Sequence, residues 1–213
     1  MATLLSVNIG RSKASAYADS GVTGIDKRPS EDPVALRDPG RGSGTSGAAG
    51  DAIGDPQSHG GTDQAVYAYA REDLDQWQAD LGRPLTNGVF GENLTTSGLD
   101  VNGALIGERW QVGDSCVLEV TSPRIPCRTF AGWLQEQLWV KRFTERGVPG
   151  AYLRVISPGS VGGGDPITVL HRPEHDVTVA MMFRALTTEK SLQPQLAAAG
   201  DALPEFLRRR LVP

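Results

Sequence analysis

Glycine at 26 of 213 positions, with 14 prolines beside it, is the feature that most constrains what this chain can fold into. Glycine supplies turns with positive φ at little steric cost, and proline presets others. Both are poor residues for helix interiors. So much turn chemistry suits many short strands joined by tight loops better than a helical bundle.

The apolar pattern agrees. Residues 4–9 read as a first strand, ended by Gly10. Residues 21–29 read as a glycine-punctuated turn or short hairpin carrying two cations, Lys27 and Arg28. Residues 38–55 are rich in Gly, Ser and Ala and hold too little apolar surface to order themselves. The expectation there is a mobile loop, either a lid over a site or a tolerated insertion. Residues 65–69 form a short strand-like run. Over residues 72–81, Leu74, Trp77 and Leu81 share one face of a helix that Gly82 terminates.

The clearest strands are 105–112 and 115–121, joined through Gly113-Asp114. Period-2 alternation puts Cys116, Leu118 and Val120 on one face, which makes Cys116 an inert core thiol. Residues 133–146 are expected to form one helix with Leu134, Leu138 and Trp139 turned inward. Residues 151–156 and 167–171 read as late strands, and Asp176 is a candidate cap for a helix over 177–186. Two short helical patterns follow near 192–199 and 203–211. The order predicts a mixed, β-rich domain over residues 1–174 and a small three-helix segment over 175–213.

A formal charge of −4 argues against a nucleic-acid polymer as partner. No apolar run reaches 18 residues, so no membrane-spanning helix is expected. The first residues lack a basic leader and a long apolar region, and Cys116 and Cys127 are the only cysteines. The expectation is a cytoplasmic protein with reduced thiols.

Chemistry concentrates in Ser122-Pro123-Arg124-Ile125-Pro126-Cys127-Arg128. Two prolines stiffen the backbone and aim Cys127, while the flanking guanidinium groups favour a thiolate. Such a thiol can act as nucleophile, redox group or soft metal ligand, or can simply pack at a strand end. His59-Gly60-Gly61 lets backbone N–H groups turn toward a ligand, though a surface turn has the same sequence. Asn93, in Phe90-Gly91-Glu92-Asn93-Leu94-Thr95, offers donors and acceptors to a heterocycle or serves a turn. Zinc is not supported, because His59, His171 and His175 are not grouped with the thiols. The glycines at 159–164 precede a strand-like run where a phosphate loop needs a helix, so they read as a hairpin connection.

Taken in order, these segments resemble the MOSC family, the molybdenum cofactor sulfurase C-terminal domain, and within it the bacterial hydroxylaminopurine-resistance branch. The matching residues are Thr23-Gly24-Ile25-Asp26-Lys27-Arg28-Pro29, His59-Gly60-Gly61-Thr62-Asp63-Gln64-Ala65-Val66, Phe90-Gly91-Glu92-Asn93-Leu94-Thr95, Ile106-Gly107-Glu108-Arg109 and Pro123-Arg124-Ile125-Pro126-Cys127. Val155-Ile156-Ser157-Pro158-Gly159 and the tail from Asp176 also look similar. The glycine-rich stretch at 38–55 is the main departure from the pattern.

The resemblance implies a β-barrel with peripheral helices and a three-helix C-terminal segment. It implies a molybdopterin-type molybdenum cofactor, with Cys127 as molybdenum ligand or sulfur carrier. It makes Thr23 and Lys27 candidates for phosphate or pterin contacts, Arg124 a phosphate partner, Asn93 a pterin partner and His59 a proton donor facing substrate. The activity implied is reduction of N-hydroxylated compounds, including N-hydroxylated purine bases. Two cysteines cannot build an iron–sulfur site and no dinucleotide fingerprint is present, so a separate reductase is expected to supply electrons. A persulfide-based sulfur transferase and a non-catalytic cofactor-binding module use the same thiol and stay open. A pyridoxal phosphate role lacks a distinctive lysine motif, and a homodimer is left open.

Overall fold

A computed structural model describes residues 1–56 and 59–211. Gln57 and Ser58, which run into the His59-Gly60-Gly61 motif, lie outside the described residues. Strands β1 (Thr3–Gly10), β2 (Lys13–Ala14), β3 (Val22–Thr23), β4 (Lys27–Pro29), β5 (Val34–Leu36) and β6 (Val66–Ala70) precede helix α1 (Arg71–Leu81). Next come β7 (Leu94–Ser97), β8 (Arg109–Val112), β9 (Cys116–Pro123), α2 (Arg128–Leu134) and α3 (Trp139–Arg146). After them follow β10 (Ala151–Ser157), β11 (Gly159–Val161), β12 (Ile167–His171), α4 (Val179–Leu186), a 3-10 stretch (Lys190–Ala202) and α5 (Glu205–Leu211). No helix among the described residues is long and apolar enough to cross a membrane.

Eight strands form one large sheet in the order β12-β8-β9-β10-β6-β7-β1-β4. All neighbours are antiparallel except β6 and β7. The sheet curls far enough for the start of β1 to meet the start of β12. Ile167 N–H donates to Ala2 O at 2.9 Å and Leu4 N–H to Asp165 O at 2.9 Å. The meeting is an isolated bridge, Thr3 opposite Pro166, rather than a strand ladder. The barrel expected from the resemblance is therefore a mixed fold around one strongly curled, mostly antiparallel sheet.

The central strands are buried on both faces. In β6, Val66, Ala68 and Ala70 enter an aliphatic core, while Tyr67 and Tyr69 enter an aromatic one. In β10, Ala151, Leu153 and Val155 take the aliphatic side and Tyr152 the aromatic side. Each large apolar side chain buried this way contributes roughly 1.5–3 kcal/mol. The expected core face of β9 holds: Cys116, Leu118 and Val120 are buried, and burial pushes the Cys116 thiol up to about 11.

Several local expectations change. β3 pairs with β2 and β4 with β1, so residues 21–29 are not a hairpin. The helix expected over 133–146 is broken at Gln135 and Leu138, which both adopt positive φ. At about 100° per residue, a continuous helix would put Phe130 and Trp139 on opposite faces. The break instead delivers Phe130 and Leu134 from α2 and Trp139 and Phe143 from α3 to one aromatic cluster. Leu138, expected inside, is 72% exposed at the bend. Thr178 rather than Asp176 caps α4, its hydroxyl accepting from Met181 N–H at 3.0 Å.

The second half of the glycine-rich segment is packed, which corrects the expectation that it had nothing to bury. Ala48 is buried and bridges Leu36, and Gly47 N–H donates to Ala65 O at 2.7 Å. A Cβ on Gly24 would sit 1.9 Å from Ala52 O, so only glycine lets this segment close on β3. The three helical elements of the tail are present, but Val177, Val179, Met182, Ala185, Leu196 and Leu203 belong to the aliphatic core itself. The tail is part of the main body rather than an appendage.

Candidate functional site

Sheet register builds the floor of a cavity of about 430 Å³. Asn93 N–H donates to Tyr67 O at 2.8 Å at the entry to β7. Tyr67 stands opposite Tyr152 on β10, and Tyr152 opposite Ser122 on β9. Asn93, Tyr67, Tyr152 and Ser122 thus form one row across four neighbouring segments, and all four line the cavity. Past Pro123, the Arg-Ile-Pro segment leaves the sheet and ends at Cys127, which sits at the start of α2 in extended conformation.

Arg124 lies over this row. It is buried, with its guanidinium carbon 4.5 Å from the Phe130 ring centroid and 5.2 Å from that of Tyr67. Burial alone would lower its pKa, but Tyr152, Tyr67, Cys127 and Glu92 around it raise it, so it stays cationic. No carboxylate forms an ion pair with it among the described residues, and its Nε has no hydrogen-bond partner there. Arg128, the other flanking arginine, instead reaches Ala16 O at 3.1 Å and Asp19.

The second cation is already paired. Lys27 Nζ donates to Asp51 in a buried ion pair. Asp51 also accepts from Gly10 N–H at 2.8 Å and from Asn93 Nδ2 at 2.9 Å. Asn93 donates further to Asn8 O at 3.2 Å and accepts from Tyr67 N–H at 3.2 Å. Its amide is therefore committed to holding Asp51 and β6, which leaves little for the pterin contact expected of it.

His59 lies 3.4 Å, Nδ1 to phenol oxygen, from Tyr152. Burial, with Arg124 next, pushes its pKa down to about 4. At neutral pH the ring is uncharged, so an imidazolium proton donor is not what this position supplies. Gly60 beside it has φ 83°, and a Cβ there would come 2.6 Å from Thr45 O, so the turn requires glycine. Thr23 Oγ1 accepts from Ile25 N–H at 3.2 Å at the cavity edge.

All six residues singled out from sequence, Thr23, Lys27, His59, Asn93, Arg124 and Cys127, line this one cavity. Sequence reasoning missed Asp51, Gln64, Tyr67, Ser122 and Tyr152. Gln64 and Ser122 lie within the segments already quoted, but nothing in sequence shows that their polar atoms are left unsatisfied. Asp51 lies in the segment expected to be a mobile loop. Tyr67 and Tyr152 read as strand residues, and only pairing brings them together.

The donor set suits an anionic, hydrogen-bonding cofactor carrying a metal. Gln64 Oε1, Ser122 Oγ and Arg124 Nε are buried without partners among the described residues, and all three residues line the cavity. Buried polar groups are rarely left so. Together they offer an acceptor, a hydroxyl and a cation, which match the N–H groups of a pterin and the phosphate of a molybdopterin. Among the described residues no three His, Cys, Asp or Glu side chains could hold a metal by themselves.

Comparison with known proteins gives the family of the chain. The family model described as MOSC domain matches residues 55–168, more than half of the chain. The uncharacterized protein YflK of Bacillus subtilis (strain 168) is 34% identical over 99% of this chain and 96% of its own length. A protein named Reductase from Gibberella moniliformis is 31% identical over 94% of this chain, which spans 35% of that protein. The crystal structure of YiiM from Geobacillus stearothermophilus superposes with a TM-score of 0.78 at 27% identity, covering 99% of this chain and 97% of that one. The chain belongs to the MOSC domain family, in its YiiM-like branch, a family associated with molybdenum-cofactor binding.

Proposed function

We propose that this protein is a reductase of N-hydroxylated compounds, N-hydroxylated purine bases among them, that works with a molybdopterin-type molybdenum cofactor. The observation that carries the reading is the meeting, in one cavity, of the Cys127 thiol with a buried Arg124 guanidinium that has no carboxylate partner and an unsatisfied Nε among the described residues. The fungal relative named Reductase is consistent with it.

When bound, such a cofactor supplies two-electron redox chemistry at molybdenum. Cys127 provides a soft sulfur ligand. Arg124, without a carboxylate partner among the described residues, holds the cofactor's anionic end by charge-assisted hydrogen bonds. Gln64 and Ser122 orient the heterocycle. Lys27 adds positive charge at a position that Asp51 and Asn93 hold still. His59 and Tyr152, both uncharged at neutral pH, shape a polar wall where substrate oxygen can be hydrogen-bonded. Electrons come from a separate reductase, because two cysteines cannot hold a cluster.

The test is elemental analysis of freshly purified protein beside Cys127→Ser, together with reduction of an N-hydroxylated substrate by a chemical electron donor. Stoichiometric molybdenum and turnover, both lost in the variant, are the expected result. Undiminished turnover in Cys127→Ala would remove the ligand role. A persulfide on Cys127 without molybdenum would replace the reductase with a sulfur carrier.

A further inference from the structure

The family match ends at residue 168, yet the cavity wall includes Leu186 and Phe206 from the tail beyond it. Phe206 stands on α5 and is 58% exposed. Three more exposed apolar residues line the same cavity: Tyr17, Val22 and Ile125. Tyr17 and Val22 come from the β2–β3 hairpin and Ile125 from the segment after β9, so with α5 three separate parts of the chain contribute apolar surface to one opening whose interior is polar and cationic. Exposed apolar surface gathered in one place marks a contact surface, whereas scattered residues do not.

Two of these residues are held in place. Asp63, two residues after the His59-Gly60-Gly61 turn, accepts from Glu205 N–H at 2.9 Å and pairs with Arg154 at 2.8 Å. That fixes the start of α5, and with it Phe206, to the cavity segment containing Gln64. On the other side the Tyr17 ring lies against Gly132, where a Cβ would come within 2.1 Å of it. Arg128 donates to Ala16 O at 3.1 Å and Thr129 to Tyr17 O at 3.2 Å, docking this turn on α2. An exposed aromatic ring held by backbone contacts presents a face at little entropic cost on binding.

We propose that Phe206, together with Tyr17, is the specificity-determining element of this site and selects substrates with a flat aromatic ring over open-chain ones. The proposal rests on the reading of the cavity as a substrate site, and it assigns to the tail a role in choosing ligands. Phe206 acts by stacking and touches no reacting atom.

The test measures equilibrium binding of an N-hydroxylated aryl amidine and of a small open-chain amidoxime to cofactor-loaded protein, then steady-state reduction of both. Phe206→Ala should weaken aryl binding and raise its KM by about five- to ten-fold, with kcat and the open-chain values within about two-fold. Phe206→Tyr should restore aryl binding. Equal effects on both compounds, or none on either, would overturn the proposal. A shift from dimer to monomer in Phe206→Ala would also overturn it, because Phe206 would then face a second copy. Aryl binding that depends on Phe206 without turnover of either compound would support the proposal while removing the reductase reading.

Discussion

Asp51 holds Lys27 in a buried ion pair across 24 residues of sequence, from within the glycine-rich stretch. The carboxylate is 1% exposed and has three donors: Lys27 Nζ, Gly10 N–H and Asn93 Nδ2. Burial lowers the pKa of Lys27, and Asp51 offsets part of that. Asp51→Ala leaves a buried ammonium next to Arg124 and should destabilise the protein by about 3–5 kcal/mol. The double variant Asp51→Ala with Lys27→Met should recover much of that loss. Urea denaturation of both decides it, and equal losses in the two would show that the pairing with Lys27 contributes little.

Arg124 should trade stability for binding. A buried cation without a carboxylate partner stabilises a fold little, so Arg124→Met should keep folding stability or raise it by about 1 kcal/mol. The same change should abolish retention of molybdenum, measured on purified protein. A large loss of stability would instead show that its ring contacts with Phe130 and Tyr67 hold the fold.

The acid limb of stability should carry a contribution from His59. The ordinary histidine value is 6.5, and His59 lies at about 4. Between those values the unfolded chain binds a proton that the folded chain does not, so stability falls as pH drops through that window. The loss amounts to no more than about 3 kcal/mol. Asp73, raised to about 6 by burial, titrates in the opposite sense, so the comparison must be with a variant. His59→Gln should flatten the difference between about pH 4 and about pH 7, read from denaturation midpoints. Parallel curves for both proteins would rule out this titration.

Leu138 stores removable strain. Its φ of 55° is costly for a residue with a Cβ, and its side chain faces solvent. Leu138→Gly should raise stability by about 0.5–1 kcal/mol, visible as a higher Tm, once the added freedom of the unfolded glycine is subtracted. A lower Tm would mean that Leu138 packs in a way its exposure does not reveal.

Local pattern made much of the fold legible. Alternation in β9 identified Cys116 as a core thiol, and helical spacing with Gly82 located α1. Both depend on neighbours in sequence. The bend at Gln135 and Leu138 was not legible, because it serves the meeting of Phe130 with Trp139 and Phe143, a demand of the aromatic core. The packing of residues 46–52 was not legible either. Its stabilising partners, Leu36, Ala65, Gly10 and Lys27, are distant in sequence, and composition alone carries no trace of them.

The same division runs through the site. Sequence by itself determined which residues could do chemistry and that they follow one family's order: a thiol stiffened by prolines, arginines beside it, a histidine before two glycines. Tertiary structure decided what each was free to do. Sheet register and burial left Arg124 without a carboxylate among the described residues while giving Lys27 one, consumed the Asn93 amide and neutralised His59. A side chain's available charge and hydrogen bonds are set by what packs against it, and for these residues that is chain from elsewhere in the sequence.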